Sequence, residues 1–304
     1  AAAAGGGQQE ELQLLRAQNQ QMAEQLQAMQ AALKASPSPH LSGGGGEGAA
    51  AAAELVLPGL TDAQWAQARA LAELLVEWNT KVNVISRKDI DNVLHRHVLP
   101  TLAMAAALKI PPGALCLDVG TGGGLPGLPL AIAYPGARFL LVDARGKKIQ
   151  VVRDMAERLG LRNVEARHAR IQEVAERADF VVGRSVTALP RFLGWVRKNL
   201  APPSPACPHA GIFYIKGGEL ESEIHELGIL PEQVYRIADL VPGRGGDASP
   251  LSGSDKNVLH FPARAVLDFP RPFSEEEAAE MRRQRRGARG GKKKNKTHHV
   301  GGGQ

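Results

Sequence analysis

Between Asp118 and Pro129 the chain reads Asp-Val-Gly-Thr-Gly-Gly-Gly-Leu-Pro-Gly-Leu-Pro. Glycine at 120, 122 and 124 lets the main chain turn tightly and lets a ligand come up against backbone atoms with no Cβ between them. Such a loop binds; it makes no bond by itself. A second apolar run ends in Asp143, where a carboxylate can accept both hydroxyls of a ribose. A loop and an acid so spaced suit a nucleoside-bearing cofactor. A dinucleotide would need free N–H groups at the start of the following helix to hold its pyrophosphate. Pro126 and Pro129 stand in that entry, and proline has no N–H to give. The pattern therefore favours a cofactor without phosphates, and Asp118 ahead of the loop suits one with an amino acid end.

Cations supply the second chemistry. Arg184 and Lys216 close two later apolar runs, at the edge of a sheet where open α/β folds bind their ligands; they are the candidate catalytic residues. Arg145, Lys147, Lys148 and Arg191 could contact nucleic acid phosphates, or lie on solvated helix faces. Nine Lys or Arg and no acid follow Met281 in a chain of net charge +6, so everything before it sums to −3. This tail, with Arg282, Arg283, Arg285, Arg286, Lys292, Lys293 and Lys294, is either a handle for a polyanion or a solubilising extension. Two cysteines exclude a disulfide framework. Cys116 reads as a small core residue and Cys207, among prolines, as loop; both fit a reducing compartment. His97 and His168 have no metal-ligand spacing with them, so no metal is expected. Trp65, Trp78 and Trp195 read as core.

The elements that must position these residues alternate. Apolar strands are expected at 114–119, 138–142, 163–167, 180–183 and 211–215, with helices at 128–134, 147–159 and 189–200 between them and weaker strands near 233–240 and 256–261. Strand–helix alternation implies a mostly parallel, doubly wound sheet of the Rossmann-like α/β class covered on both faces. Ahead of it, Thr61 is an N-cap for a helix carrying Leu71, Leu74, Leu75 and Trp78, and a second helix is expected from about Asp89 to Leu108, stopped by Pro111-Pro112. Residues 1–53 combine a heptad (Leu12, Leu15, Asn19, Met22, Leu26, Met29, Leu33) with a Gly/Ala-rich linker. That seam is either a lone amphipathic helix or a homodimeric coiled coil over 12–33. The division is thus 1–53, a helical segment at 54–112, a catalytic domain at 113–268 and a basic tail at 269–304. No apolar run is long enough for a membrane helix.

Taken together, Asp118–Pro129, Asp143 with Lys147-Lys148, His168-Ala-Arg-Ile-Gln-Glu173, Arg184 and Lys216-Gly217 resemble, in order, the bacterial RsmG (also GidB) family of guanine-N7 methyltransferases of small-subunit ribosomal RNA. Leu75-Val-Glu-Trp-Asn-Thr-Lys-Val-Asn-Val84 and Arg96-His97 resemble its N-terminal helical segment. The resemblance covers about 55–262. It implies S-adenosylmethionine as cofactor, with contacts from Gly120, Leu125, Ile171, Gln172 and Arg184, and a ribosomal RNA substrate on the small subunit. Gln172 departs from the glutamate usual there, and Pro100 from the aspartate that usually follows the Arg-His pair. Two other readings keep the same topology: an NAD(P)-dependent oxidoreductase, and a non-catalytic ribosome-assembly factor that binds RNA. Ala/Gly-rich extensions on a bacterial-type enzyme and a first residue other than Met suggest the chloroplast stroma, with bacterial cytoplasm as the alternative.

Overall fold

The structure, a computed structural model, describes residues 59–283 apart from Glu219 and 242–247, together with Glu24. The 12–33 heptad, the linker, and Arg285, Arg286, Lys292, Lys293 and Lys294 lie outside the described residues.

Strands β1 (Leu115–Val119), β2 (Arg138–Asp143), β3 (Val164–His168), β4 (Phe180–Arg184), β5 (Gly211–Lys216), β6 (Gln233–Arg236) and β7 (Asn257–Pro262) form one sheet in the order 3-2-1-4-5-7-6. β1 to β5 pair in parallel, and β7 is antiparallel to both β5 and β6. The doubly wound class expected from strand–helix alternation is the one observed. β1 turns toward β2 on one side and β4 lies on its other side, so the sheet reverses direction of winding between β1 and β4. A crevice opens there beyond the strands' carboxyl ends, and the glycine loop, Asp143 and Arg184 all sit at that edge.

Both faces are buried. One carries Phe139, Leu141, Phe180, Val182 and Phe213 against the N-terminal helix and its neighbours, the other Leu117, Leu140, Val181, Ile212 and Tyr214. Alternate residues of each strand thus go to opposite cores. Cys116 is core as expected, whereas Cys207 lies in a turn yet is only 6% exposed.

The first helix, α1 (Asp62–Asn79), starts at Thr61 as expected: its hydroxyl accepts from Gln64 N–H, and the Gln64 side chain accepts from Thr61 N–H. The next expected helix is not continuous. Arg87–Asn92 is a 3-10 turn, Leu94–Val98 a π turn, and two short helices, Leu99–Ala103 and Ala105–Leu108, follow. Pro100 lies at this break, because it offers no N–H to the carbonyl four residues back and cannot continue the α ladder through Arg96. The strand expected near 233–240 ends at Arg236; Ile237–Leu240 is a helical turn whose first N–H donates to Lys256 C=O while Ile237 and Ala238 are buried. After β7 come Ala263–Asp268 and a helix over 275–283.

Candidate active site

Asp118, the last residue but one of β1, is fully buried, and it shapes the loop that follows. Its Oδ2 accepts from Thr121 Oγ1 at 2.6 Å and from Gly127 N–H at 2.8 Å, while Oδ1 has no partner. Burial raises its pKa to about 7 against the pull of these two hydrogen bonds and of Arg184. Asp118 lines neither cavity described below, and a carboxylate with no exposure cannot reach a ligand. The contact expected of it with an amino acid end gives way to a positioning role. Gly124 likewise faces inward, where a Cβ would collide with Leu128 Cδ1.

Gly120 and Gly122 do face the crevice. Both have positive φ, +70° and +60°, and a Cβ on Gly120 would meet Val186 Cγ1 at 2.9 Å. Gly122 N–H donates to Asp143 Oδ2 at 3.0 Å, and Arg145 N–H to Oδ1 at 2.8 Å, so Asp143 is aimed by the backbone on both sides. Each of its oxygens keeps a lone pair for a hydroxyl.

Two cavities meet over Gly120. The larger, about 470 Å³, is lined by Asp143, Arg145, Lys148, Ile171, Gln172 and Trp195 among others. The smaller, about 300 Å³, is lined by Leu125, His97, Lys148, Arg184, Gly217 and Lys256 among others. Gly120, Lys148 and Ser185 belong to both. Ser185 holds φ at +52°, an unusual conformation for a residue with a Cβ, and Tyr214 braces the turn after it: its hydroxyl accepts from Val186 N–H and donates to Thr187 C=O. Trp195 is therefore not plain core. It is half-buried, forms cavity wall, and donates its indole N–H to Glu276 at 2.7 Å.

The N-terminal segment roofs the smaller cavity. Glu77 pairs with both guanidinium nitrogens of Arg158, Trp78 Nε1 donates to Asp154, and Asn79 Oδ1 accepts from Val84 and Ile85 N–H groups. The first two fix α1 to helix Gly146–Arg158; the third hangs Val84–Ser86 over the loop, where a Cβ on Gly123 would meet Val84 Cβ at 2.9 Å. His97 enters from the π turn. Burial, then Arg184, lowers its pKa to about 4, so it is neutral near pH 7. Its Nε2 lies 3.1 Å from Asp89 Oδ2 and its Nδ1 3.3 Å from Arg184 Nη1. A neutral ring donates through Nε2 to the carboxylate and accepts at Nδ1 from the guanidinium, the one proton placement that satisfies both. Arg184 is itself desolvated, and burial brings its pKa down to about 10.

Lys216 is not at the site. Its Nζ is 2.6 Å from Glu223 Oε1, and Glu223 Oε2 accepts from Leu189 N–H, so the lysine staples β5 to the neighbouring helices. Lys256, two strands away in sequence, takes a place in the cavity wall that no spacing in the sequence announced. Among the expected phosphate contacts, Arg145 and Lys148 line the cavities and Lys147 is exposed; Arg191 pairs with Glu276, the acceptor of Trp195, and Arg282 with Glu275. His168 Nε2 lies 3.1 Å from Ala144 C=O. No metal-binding cluster occurs among the described residues.

The helix after the loop decides between cofactor classes. Gly127 N–H is spent on Asp118, Leu128 N–H on Gly124 C=O, and Pro129 has none. No donor remains there for a pyrophosphate. The sequence profile of the GidB family, described as rRNA small subunit methyltransferase G, matches residues 64–240. The chain belongs to the GidB family. Proteins named Ribosomal RNA small subunit methyltransferase G from Cytophaga hutchinsonii and Flavobacterium psychrophilum are each 46% identical to it, over 67% and 69% of this chain and 95% and 96% of theirs. One from Bacteroides fragilis is 44% identical over 60% of this chain and 82% of its own. The crystal structure of a SAM dependent methyltransferase from Aquifex aeolicus aligns at 18% identity and TM-score 0.38 over 49% of this chain and 89% of that one, too slight a likeness to add to the topology. The GidB match ends before β7, so Lys256 lies outside it.

Proposed function

We propose that this chain is an S-adenosylmethionine-dependent methyltransferase that modifies N7 of a guanine in small-subunit, 16S-type ribosomal RNA. Membership of the GidB family names the class, and one observation carries the cofactor: a glycine cradle joins two cavities while the adjoining helix start has no N–H to offer a phosphate. The residues fit the cofactor. Asp143 would take the ribose hydroxyls, Ile171 and Gln172 the adenine in the larger cavity, and Gly120, Leu125 and Arg184 the amino acid end in the smaller. When bound, S-adenosylmethionine supplies an electrophilic methyl carbon on a sulfonium.

The chain's own part is alignment. Guanine N7 offers a lone pair and has no proton to lose, so no general base is required, and holding the partners in line supplies most of the rate. Asp118 keeps the loop's shape, and Asp89 and His97 hold the Arg184 guanidinium in place. Neutral His97 adds no charge beside a purine that becomes cationic. Arg145 and Lys148 at the cavity walls and the exposed Lys147 are available for backbone phosphates. Arg191, Arg282, Arg283 and the basic tail that follows are further candidates for phosphate contacts, with the small subunit as partner.

No helix among the described residues is long and apolar enough to cross a membrane. The relatives named above are bacterial, which supports the bacterial cytoplasm and gives the chloroplast stroma no support. A homodimer through the 12–33 heptad is checked by sedimentation of the full chain and of one starting at residue 54. The decisive experiment incubates small subunits with the protein and labelled S-adenosylmethionine and maps the label. We expect N7-methylguanine at one position. Label on another atom overturns the N7 assignment, and cofactor binding without turnover points to the assembly-factor reading.

A further inference from the structure

The smaller cavity has cations and no anion. Arg184, Lys148 and Lys256 line it, and no Asp or Glu does. Lys256 Nζ donates to Arg96 C=O at 3.3 Å, and among the described residues it has no ion pair. Burial, then Arg184, holds the Lys256 ammonium below its usual range against the pull of Asp255 and Asp89. The carbonyl that seats it is the one Pro100 leaves without its α-helical donor. Arg96 itself turns outward to Asp89 at 3.0 Å, so what it gives the cavity is a backbone oxygen. Asp89 pulls on both cations and Asp255 on Lys256, but neither carboxylate lines the cavity, so the wall that the two cations share still favours an anion between them.

We propose that Lys256 is a ligand-binding residue, which with Arg184 seats an oxyanion in the smaller cavity, and that the π turn just before Pro100 sets its position. The chemistry is that of a carboxylate or a phosphate. On the function proposed above there are two sources, the cofactor's amino acid carboxylate and the phosphate of the nucleotide being modified. Either way Lys256 joins the β7 edge of the sheet to the ligand.

The test uses the full chain with Lys256→Gln, which keeps a hydrogen-bond donor for Arg96 C=O but loses the charge, and Lys256→Arg, which keeps both. The first readout is the rise in melting temperature with added inorganic phosphate, since a ligand that binds only the folded state stabilises it. Wild type and Lys256→Arg should show it and Lys256→Gln should not. This readout stands whether or not the chain methylates RNA, so failure of the functional reading would be seen separately as wild-type protein without turnover. Two further arms identify the source. If the carboxylate is held, S-adenosylhomocysteine binds Lys256→Gln roughly tenfold or more weakly, the scale of one charge-assisted contact, while its decarboxylated analogue binds both proteins alike. If the phosphate is held, S-adenosylhomocysteine affinity is unchanged and KM for small subunits rises by a similar factor at saturating cofactor. Equal phosphate-induced shifts in wild type and Lys256→Gln overturn the proposal and leave Lys256 a staple between the β6–β7 hairpin and the π turn; an adventitious ion only would be indicated if both shifts are equal and small.

Discussion

Asp143 accepts from Gly122 and Arg145 N–H groups and still has a lone pair on each oxygen, so Asp143→Ala should do two things together. It leaves a ribose hydroxyl unpaired, at about 1–3 kcal/mol, and it frees the glycine loop. Calorimetry with S-adenosylhomocysteine should show at least a tenfold weaker affinity in a folded variant; unchanged affinity would remove Asp143 from the site. Asp118 is tested by pH instead. Its folded pKa of about 7 lies above the ordinary 3.8, so the folded state holds a proton that the unfolded chain has already released between those values. Its contribution to stability is therefore full at low pH and lost as pH rises toward 7. His97 and His260 act in the opposite sense: burial lowers both to about 4 from 6.5, and stability is lost as pH falls through that window. Asp118→Asn removes the first effect alone. Denaturant titrations should find the Asn variant gaining on wild type from about pH 4 to pH 7, by on the order of a few kcal/mol in total; a difference that does not change with pH would mean Asp118 is not held protonated.

At the scale of elements, the roof over the cavity depends on one amide. Asn79 Oδ1 satisfies two backbone N–H groups of the Val84–Ser86 segment, and Asn79→Ala should cost about 1–3 kcal/mol. Protection of Val84 and Ile85 amides from hydrogen exchange should fall well before that of β1 or β4; uniform loss across the fold would show that the segment is not held this way. The sheet, its parallel pairing and the glycine loop were legible in the sequence, because period, turn residues and the acid at 143 are local signals. The site was half legible. Lys216 and Lys256 both flank strands at the same edge, and only the position of Glu223, on a helix no pattern ties to Lys216, sends one into an ion pair and leaves the other in the cavity. Trp195 read as core because an indole on an apolar helix face usually is; its N–H finds Glu276 from the C-terminal helix, which is brought near only by the fold. The break after Asp89 was written in Pro100, yet the use made of it, a carbonyl turned to Lys256, depends on a strand 160 residues away.

For the whole molecule, charge is unevenly placed. The chain before Met281 carries −3, and seven Lys or Arg with no acid follow Arg283. The helix over 275–283 is docked through Trp195 and Arg191 to Glu276 and through Arg197 to Glu277, so truncation after Arg283 leaves that docking in place. RNA binding should weaken at low salt, and its dependence on salt should flatten by roughly 0.7–0.9 in slope for each phosphate that the shortened chain no longer neutralises. Cofactor affinity should not change. Equal slopes for the full and truncated chains, measured by filter binding over a salt series, would assign RNA binding to the cavity rim alone and make the tail a solubilising extension.

The strand order 5-7-6 has a consequence for how the protein is made. β6 has no place in the sheet until β7 has been synthesised, because β7 lies between it and β5. A nascent chain that has emerged only as far as 240 already contains the whole stretch matched by the family profile, but its sheet ends at β5 with an open edge of unpaired N–H and C=O groups, the kind that recruits other strands. Lys256 is also missing from the cavity at that stage. If Lys256 holds the proposed oxyanion, that contact and protection from aggregation arrive together, in the last part of the sheet to leave the ribosome. A premature stop anywhere between 240 and 256 should yield insoluble chain, not a slow enzyme.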